Sequence, residues 1–355
     1  MEREADADRV SDGRPLRIMR FGAGSLSELA EVCAEAGIER PLLVATRRGA
    51  SSIGPLPIIG VYDGVQPHVP VETVREAAAQ AVELDADGLV GLGGGSAVDT
   101  CKAAVAELAQ TGREPLPRIV AVPTTYAGAE WTPYYGMRLG PGRKGGGSDP
   151  RSTPIAAIYD PVLTLGLPLE VTVGTSMNAM AHCAEAYYHP SAAPRAARHA
   201  DTGATAIGHA LPIVVERPDG IYGRSRLLEG AHRAALALAE SGVCLAHAMA
   251  QGIGGRYGVP QGSANAVCLP VALRFNAGAV PEAVERLATA LQTDDAPGRI
   301  EALAALGGFG RLRDLGVPEP GLEELAALIT ARPGAKANPR PASVEDVARL
   351  LEAVW

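Results

Sequence analysis

Hydrophobic positions along the chain change rhythm near residue 161. Before it, short apolar runs alternate with stretches of helical period. Leu16–Phe21 reads as a strand ending at Gly22-Ala23-Gly24. Ser25 then reads as a helix N-cap with Glu28 as its capping-box partner, and Leu26, Leu29, Ala30 and Cys33 make one apolar face up to Gly37. Pro41–Ala45, Ile58–Val61, Gly88–Gly91, Arg118–Val122 and Ile155–Tyr159 predict further strands, with helices over Val71–Val82 and Thr100–Leu108. Strand and helix in alternation at short intervals predict an α/β unit with a mostly parallel sheet.

Beyond the turn at Asp160-Pro161 the texture is rich in Ala, Leu and Glu. Helices are expected over 172–210, 225–256, 262–275, 282–293, 297–305, 322–330 and 342–353, separated by Pro/Gly breaks near 218–222, 258–262, 294–298 and 331–341. The expected organisation is a loose tail over 1–15, an α/β domain over 16–161 and an all-α domain over 162–355.

Composition narrows the function. The chain has 355 residues and a formal charge of −8, from 40 acidic against 32 basic side chains. That balance argues against a nucleic-acid partner, and the 4% aromatic content against a base-stacking platform. No apolar run is long enough to span a membrane. Cys33, Cys101, Cys183, Cys244 and Cys268 are scattered and never form a CxxC pair. They read as reduced core thiols of a cytoplasmic protein. The polar, acidic start reads as a disordered tail rather than a leader.

Three constellations carry candidate chemistry. Gly88–Lys102 runs from strand to helix through Gly93-Gly94-Gly95-Ser96. Glycines let the backbone approach a pyrophosphate, and a helix N-terminus offers unpaired N–H groups. Close backbone packing without a ligand is the alternative. The run is neither a GKS P-loop nor a strict GxGxxG. Pro123–Gly128, with Thr124, Thr125 and Tyr126, follows the next strand, where α/β proteins gather ligands. Asn178 and His182, four apart, share a helix face, with Glu185 placed to orient His182; His247 and Gln261 lie across a Gly/Pro break. Amide side chains are weak ligands for iron or zinc, so the four together make a poor metal site.

The chain resembles the iron-containing alcohol dehydrogenase superfamily, and within it the maleylacetate reductases, over residues 16–355. The likeness is carried by Val61–Val65 with His68–Pro70, Gly93–Lys102, Pro123–Gly128, Asp149–Arg151 with Ile158–Pro161, Met177–His182, and Ala246–Pro270. It implies the dehydroquinate synthase-like fold: an α/β N-terminal dinucleotide-binding domain, an all-α C-terminal domain, and the active site between them. By resemblance, Gly94, Gly95 and Ser96 hold the cofactor pyrophosphate, Asp99 lies near the nicotinamide ribose, Thr124 and Thr125 face the cofactor, and Lys144 reaches its ribose. Metal-dependent relatives use one aspartate and three histidines where this chain has Asn178, His182, His247 and Gln261. A further histidine near the nicotinamide is replaced by Gln251.

The resemblance and its departures together imply a metal-independent reductase of a small unsaturated or oxo acid that uses NAD(P)H. His182, His247 and Tyr126 are its expected donors or acids, and Asn178, Gln251 and Gln261 its expected substrate contacts. Arg143, Lys144 and Arg151 either attract an anionic substrate or form a solvated cluster. Arg47 and Arg48, after the second strand, suit a 2′-phosphate and favour tolerance of NADPH. A homodimer is expected. Two other readings stay open: a non-redox enzyme on the same scaffold (elimination, condensation or cyclisation), and an inactive nucleotide-binding homologue.

Overall fold

The computed structural model describes residues 17–51, 56–140 and 143–355, with the side chains of Arg143 and Lys144 outside the description. The tail expected over 1–15 lies outside the described residues. The first part comprises β1 (Ile18–Phe21), α1 (Leu29–Glu35), β2 (Pro41–Ala45), α2 (Arg47–Ser51), β3 (Gly60–Tyr62), α3 (Val71–Glu83), β4 (Gly88–Gly93), α4 (Gly95–Gln110), β5 (Arg118–Pro123), β6 (Tyr134–Gly140), β7 (Arg143–Ser148) and β8 (Ala156–Tyr159). Six of these strands form a sheet in the order β1-β8-β5-β4-β2-β3, and every pairing is parallel. Alternation along the strands serves both faces. Leu42, Val44, Leu89 and Ile119 pack toward one apolar layer, while Leu43, Val90, Val120 and Ile158 pack toward another that includes α1.

The rest is helical: α5 (Leu169–Ala186), α6 (Pro194–Glu216), α7 (Ile221–Ala239), α8 (Leu245–Tyr257), α9 (Gln261–Asn276), α10 (Pro281–Ala290), α11 (Ala296–Ala305), α12 (Leu322–Thr330), α13 (Pro333–Lys336) and α14 (Val344–Ala353). The stretch expected as one helix over 172–210 is broken at 187–193, and that over 225–256 at 240–244. The expected break at 331–341 contains the short α13. Helix α5 lies at the centre, buried along most of its length against α6, α7 and α9. All five cysteines are buried free thiols. No helix among the described residues is long and apolar enough to cross a membrane.

Two further departures from the sequence expectation lie in the α/β part. Ser25 does not cap a helix; its hydroxyl donates to the Tyr159 carbonyl. The cap comes from Asp160, whose carboxylate accepts from the N–H groups of Gly24, Leu26 and Val162. A carboxylate at the end of β8 thus ties down the turn after β1, on its neighbour strand. The second departure is β6–β7, an antiparallel hairpin with no sequence prediction. Its base is held by the helix that follows the glycine run. The Gly136 N–H donates to Asp99 Oδ2 at 3.0 Å, and the fully buried Lys102 donates to the carbonyls of Ala129 and Tyr134. Burial pulls the Lys102 ammonium toward neutrality, opposed by Asp99 and Glu130.

The sheet and the helices share one core. The helical cluster takes in Val98, Ala121, Tyr126, Trp131 and Tyr159 from the α/β part. A polar chain crosses the same junction: the Trp131 indole donates to His232 Nδ1 at 2.9 Å, and the Tyr159 hydroxyl donates to Glu130 at 2.7 Å while lying 3.0 Å from His232 Nδ1. An indole only donates, so Nδ1 must keep its lone pair. Burial, reinforced by Arg233, His199 and Arg17, lowers the His232 pKa to about 3. An unfolded imidazole titrates near ~6.5, so the unfolded chain takes up that proton first. The contribution of neutral His232 is complete above that pH and is lost as pH falls from there toward 3. His232→Gln retains an acceptor for the indole and removes the titration. It should flatten the acid limb of the stability–pH curve by about one proton, ~1.4 kcal/mol per pH unit. Denaturant unfolding between about pH 6 and pH 4 measures this, and an unchanged slope contradicts it.

Candidate active site

The glycine run places its turn at the end of β4. Gly93 has φ +151°, a left-handed conformation that favours glycine, and its carbonyl accepts from Thr124 N–H at the end of β5. Gly94 precedes α4, and no side chain caps the first turn of that helix. The uncapped N–H groups leave a place for an anion. A Cβ on Gly94 would lie 3.0 Å from Thr125 Cγ2, so a side chain there would crowd the cradle. Gly94, Gly95 and Thr125 line a crevice that continues along Ala127 and Gly128 to the buried Glu130. A glycine turn ahead of uncapped helix N–H groups is an arrangement that suits the oxygens of an anion such as a pyrophosphate. Ser96 and Thr124 are half-buried beside them.

Gly128 is where the crevice meets the polar quartet. Its φ is +74°, and a Cβ there would sit 3.3 Å from His182 Nδ1. Asn178, His182 and Glu185 lie on one face of α5. The Asn178 amide donates to the Ala127 carbonyl at 2.8 Å, which fixes the orientation of its nitrogen. That nitrogen faces His182 Nε2 at 3.5 Å. The facing donor assigns the lone pair to Nε2 and the proton to Nδ1. Nδ1 is buried without a partner among the described residues, on the side facing Gly128. Burial, with His247 adding to it, holds the His182 pKa well below the usual imidazole value, so the ring is a neutral donor.

Glu185 does not orient His182 as expected; it holds His247. Its Oε2 accepts from His247 Nδ1 and from the Cys244 N–H, each at 2.7 Å, and Oε1 accepts from the His247 N–H at 3.3 Å. Cys244 is the N-cap of α8, so a fully buried carboxylate on α5 caps α8 from outside. His247 Nε2 is left buried and has no partner among the described residues. The rings of His182 and His247 stack with centroids 4.7 Å apart and planes within 7°.

The four positions expected together are together, but not as a ligand set. Asn178 Oδ1 accepts from Asn265 at 2.8 Å and from Gln261 at 3.4 Å, so its oxygen is spent inside the protein. Asn178 therefore braces α5 against α9 and is not free to hold substrate. A metal bound by both imidazoles must lie close to both ring planes. Nearly parallel stacked rings offer no such point, and His182 Nε2 faces an N–H donor. The residues as arranged do not fit iron or zinc.

Other expected site residues sit elsewhere. Tyr126 is fully buried; its hydroxyl takes a hydrogen bond from Arg224, and burial raises its pKa. Its place is in the core, not at the reacting centre. Asp99 is committed to Gly136 and lies 3.8 Å from the Lys102 ammonium. Arg151 is exposed and forks onto Asp149. The Lys144 and Arg143 side chains lie outside the described residues. Arg47 pairs with Asp63, which the sequence reading did not place beside the cofactor end of β2. Gln251 is half-buried and accepts from Arg332 at 3.5 Å. Sequence reasoning missed Arg332 and Asn265. Asn265 stands one helical turn after Gln261 on α9, which is the signal that could have found it.

Comparison with known proteins agrees with this architecture. The family model of iron-containing alcohol dehydrogenases matches residues 17–161, and that of the family's C-terminal part matches 172–355. The maleylacetate reductase of Sphingobium indicum is 37% identical over 349 residues, covering 96% of each chain. The solved maleylacetate reductase of Agrobacterium tumefaciens is 32% identical with TM-score 0.85, covering 96% of this chain and 97% of that one. An iron-containing alcohol dehydrogenase from Corynebacterium glutamicum is 35% identical with TM-score 0.86, covering 96% and 94%.

Glu185 generates a direct test. Glutamine at this position keeps one acceptor oxygen but turns an NH₂ toward groups that are themselves donors. Glu185→Gln should lower turnover about 10- to 100-fold through misorientation of His247. It should also cost ~1–3 kcal/mol of stability. Steady-state turnover and thermal unfolding measure the two effects, and wild-type turnover would show that this carboxylate does not set the ring.

Proposed function

The chain belongs to the iron-containing alcohol dehydrogenase family and is an oxidoreductase, and on that premise we propose that it reduces a small unsaturated or oxo acid with NAD(P)H and without a metal. The observation that carries the reading is the neutral His182, whose Nδ1–H is buried, unpartnered and beside Gly128 of the glycine-lined crevice. The named activity of the relatives at 37% and 32% identity, maleylacetate reduction, supplies the substrate class.

Gly94, Gly95 and Ser96 would hold the pyrophosphate, with Thr125 packed against the cradle. The nicotinamide cofactor supplies the hydride when bound. His182 Nδ1–H donates to the carbonyl oxygen of the substrate, where negative charge gathers as the conjugated double bond is reduced. A buried neutral donor serves there without first being desolvated as a cation. His247, with Nδ1–H held by Glu185, keeps its lone pair on Nε2; it takes up a solvent proton there, passes that proton to carbon to complete the reduction, and returns to the neutral ring. Gln261 and Asn265 keep Asn178 turned toward the Ala127 carbonyl, and so keep the His182 tautomer. Conjugate reduction needs less polarisation of oxygen than simple alcohol oxidation. The reading therefore asks for no Lewis acid between the two rings. Arg47, just after β2, pairs with Asp63, so one charge of each sign stands there, which suits either cofactor.

The test uses protein purified without added metal, maleylacetate as substrate and loss of reduced cofactor as readout. His182→Ala and His247→Ala should each lower kcat about 100-fold or more, with NADH affinity by fluorescence titration nearly unchanged. Chelator should not alter turnover, and elemental analysis should find far less than one metal per chain. Stoichiometric iron or zinc with chelator-sensitive turnover overturns the metal-independent part, and failure to bind reduced cofactor overturns the whole.

A further inference from the structure

The Arg332 guanidinium, which touches Gln251 of α8, has no counter-ion among the described residues. Arg332 lies one residue before α13, which packs on α8. The side chain is half-buried, and its Nε is buried without a partner. Its polar side-chain contact is Nη1 to Gln251 Oε1, at the long distance of 3.5 Å. Burial alone lowers its pKa, and no carboxylate among the described residues pairs with it. Arg256, Arg274 and Arg286 each have a carboxylate partner, and the buried Arg224 is satisfied by Tyr126, Thr172 and the Pro218 carbonyl. A guanidinium withdrawn from water with one weak neutral contact is under-satisfied. A carboxylate is the group its planar fork fits best.

The position gives this vacancy a use. Gln251 stands four residues after His247 on α8, so the two share a face about one helical turn apart. Arg332, Gln251 and the unpartnered Nε2 of His247 therefore follow one another along α8. The hairpin strand β7, from the α/β part, packs on the same helix. We propose that Arg332, steadied by Gln251, binds a carboxylate of the substrate and selects acids over neutral enones. The inference rests on the reductase reading for the reaction, but the binding site is testable without turnover. A short-chain acid anchored at Arg332 has its carbonyl end directed along α8 toward the stacked imidazoles. Of the three basic residues named from the sequence for an anionic substrate, Arg151 is already paired with Asp149, and the side chains of Arg143 and Lys144 lie outside the described residues.

The test is binding of maleate, an unsaturated dicarboxylate, to the protein saturated with NADH, followed through the fluorescence of the bound cofactor. Its neutral diamide, maleamide, is the control. Wild type should bind maleate and discriminate against maleamide. Arg332→Gln should weaken maleate roughly 10- to 100-fold, as expected for loss of charge-assisted hydrogen bonds. Its NADH affinity and its weak maleamide binding should not move. Arg332→Lys should fall between the two, because it keeps the charge and loses the fork. Equal maleate affinity in wild type and Arg332→Gln overturns the assignment. So does a wild type that does not prefer maleate to maleamide, which keeps the proposal falsifiable if a variant fails to fold. An Arg332-dependent maleate site in a protein that reduces no oxo acid would uphold this inference and sink the reductase reading.

Discussion

One buried carboxylate organises the site. Glu185, on the central helix α5, accepts three N–H groups at the start of α8: two from the backbone of its first turn and one from the His247 ring. The same contact joins two helices, caps one of them and sets which nitrogen of His247 is a donor. A carboxylate with no solvent exposure is tolerable because each of its strong acceptor sites is used. Once α8 is fixed in this way, His247 stacks on His182, and Gln251 is carried to Arg332 one turn further on. The stacked imidazole pair and the proposed carboxylate anchor are thus both positioned by one capping interaction.

Around that anchor, amides occupy the positions where metal-dependent relatives are expected to place ligands. Asn178 is held by Ala127, Asn265 and Gln261, and its effect on chemistry is indirect, through the tautomer of His182. Replacing charged ligands with amides removes the need to neutralise several buried groups at once. What remains is a pair of imidazoles, each with one nitrogen that has no partner among the described residues, beside a narrow glycine-lined crevice. The Nδ1–H of His182 suits hydrogen bonding to an anionic oxygen, and the Nε2 lone pair of His247 suits accepting a proton.

The parts legible in the sequence are those specified by local pattern. Parallel strands announced themselves as short apolar runs, and the cradle as glycine between strand and helix. Half of the quartet was legible from helical spacing, since Asn178 and His182 share a face of α5, while His247 and Gln261 were marked by the family resemblance. What escaped depends on contacts distant in sequence. Ser25 looked like a cap, yet Asp160, more than a hundred residues away, does the capping. Glu185 was near His182 in sequence, but His247 comes nearer in space. Tyr126 had the chemistry of an acid until Arg224 and the core enclosed it. The β6–β7 hairpin was hidden because Gly136, Gly140 and Gly145–Gly147 erase the alternation by which strands are recognised. Arg332 stands in a Pro/Gly-rich break that reads as a connector, and only its burial without an anion marks it.

The most direct measurement is an anomalous-scattering map, at the iron and zinc edges, from crystals grown with reduced cofactor. The account predicts no peak between His182 and His247, the two rings still stacked, and the nicotinamide in the crevice beside Gly128. A strong peak with both imidazoles turned toward it, or a cofactor whose nicotinamide lies away from His182, would contradict it.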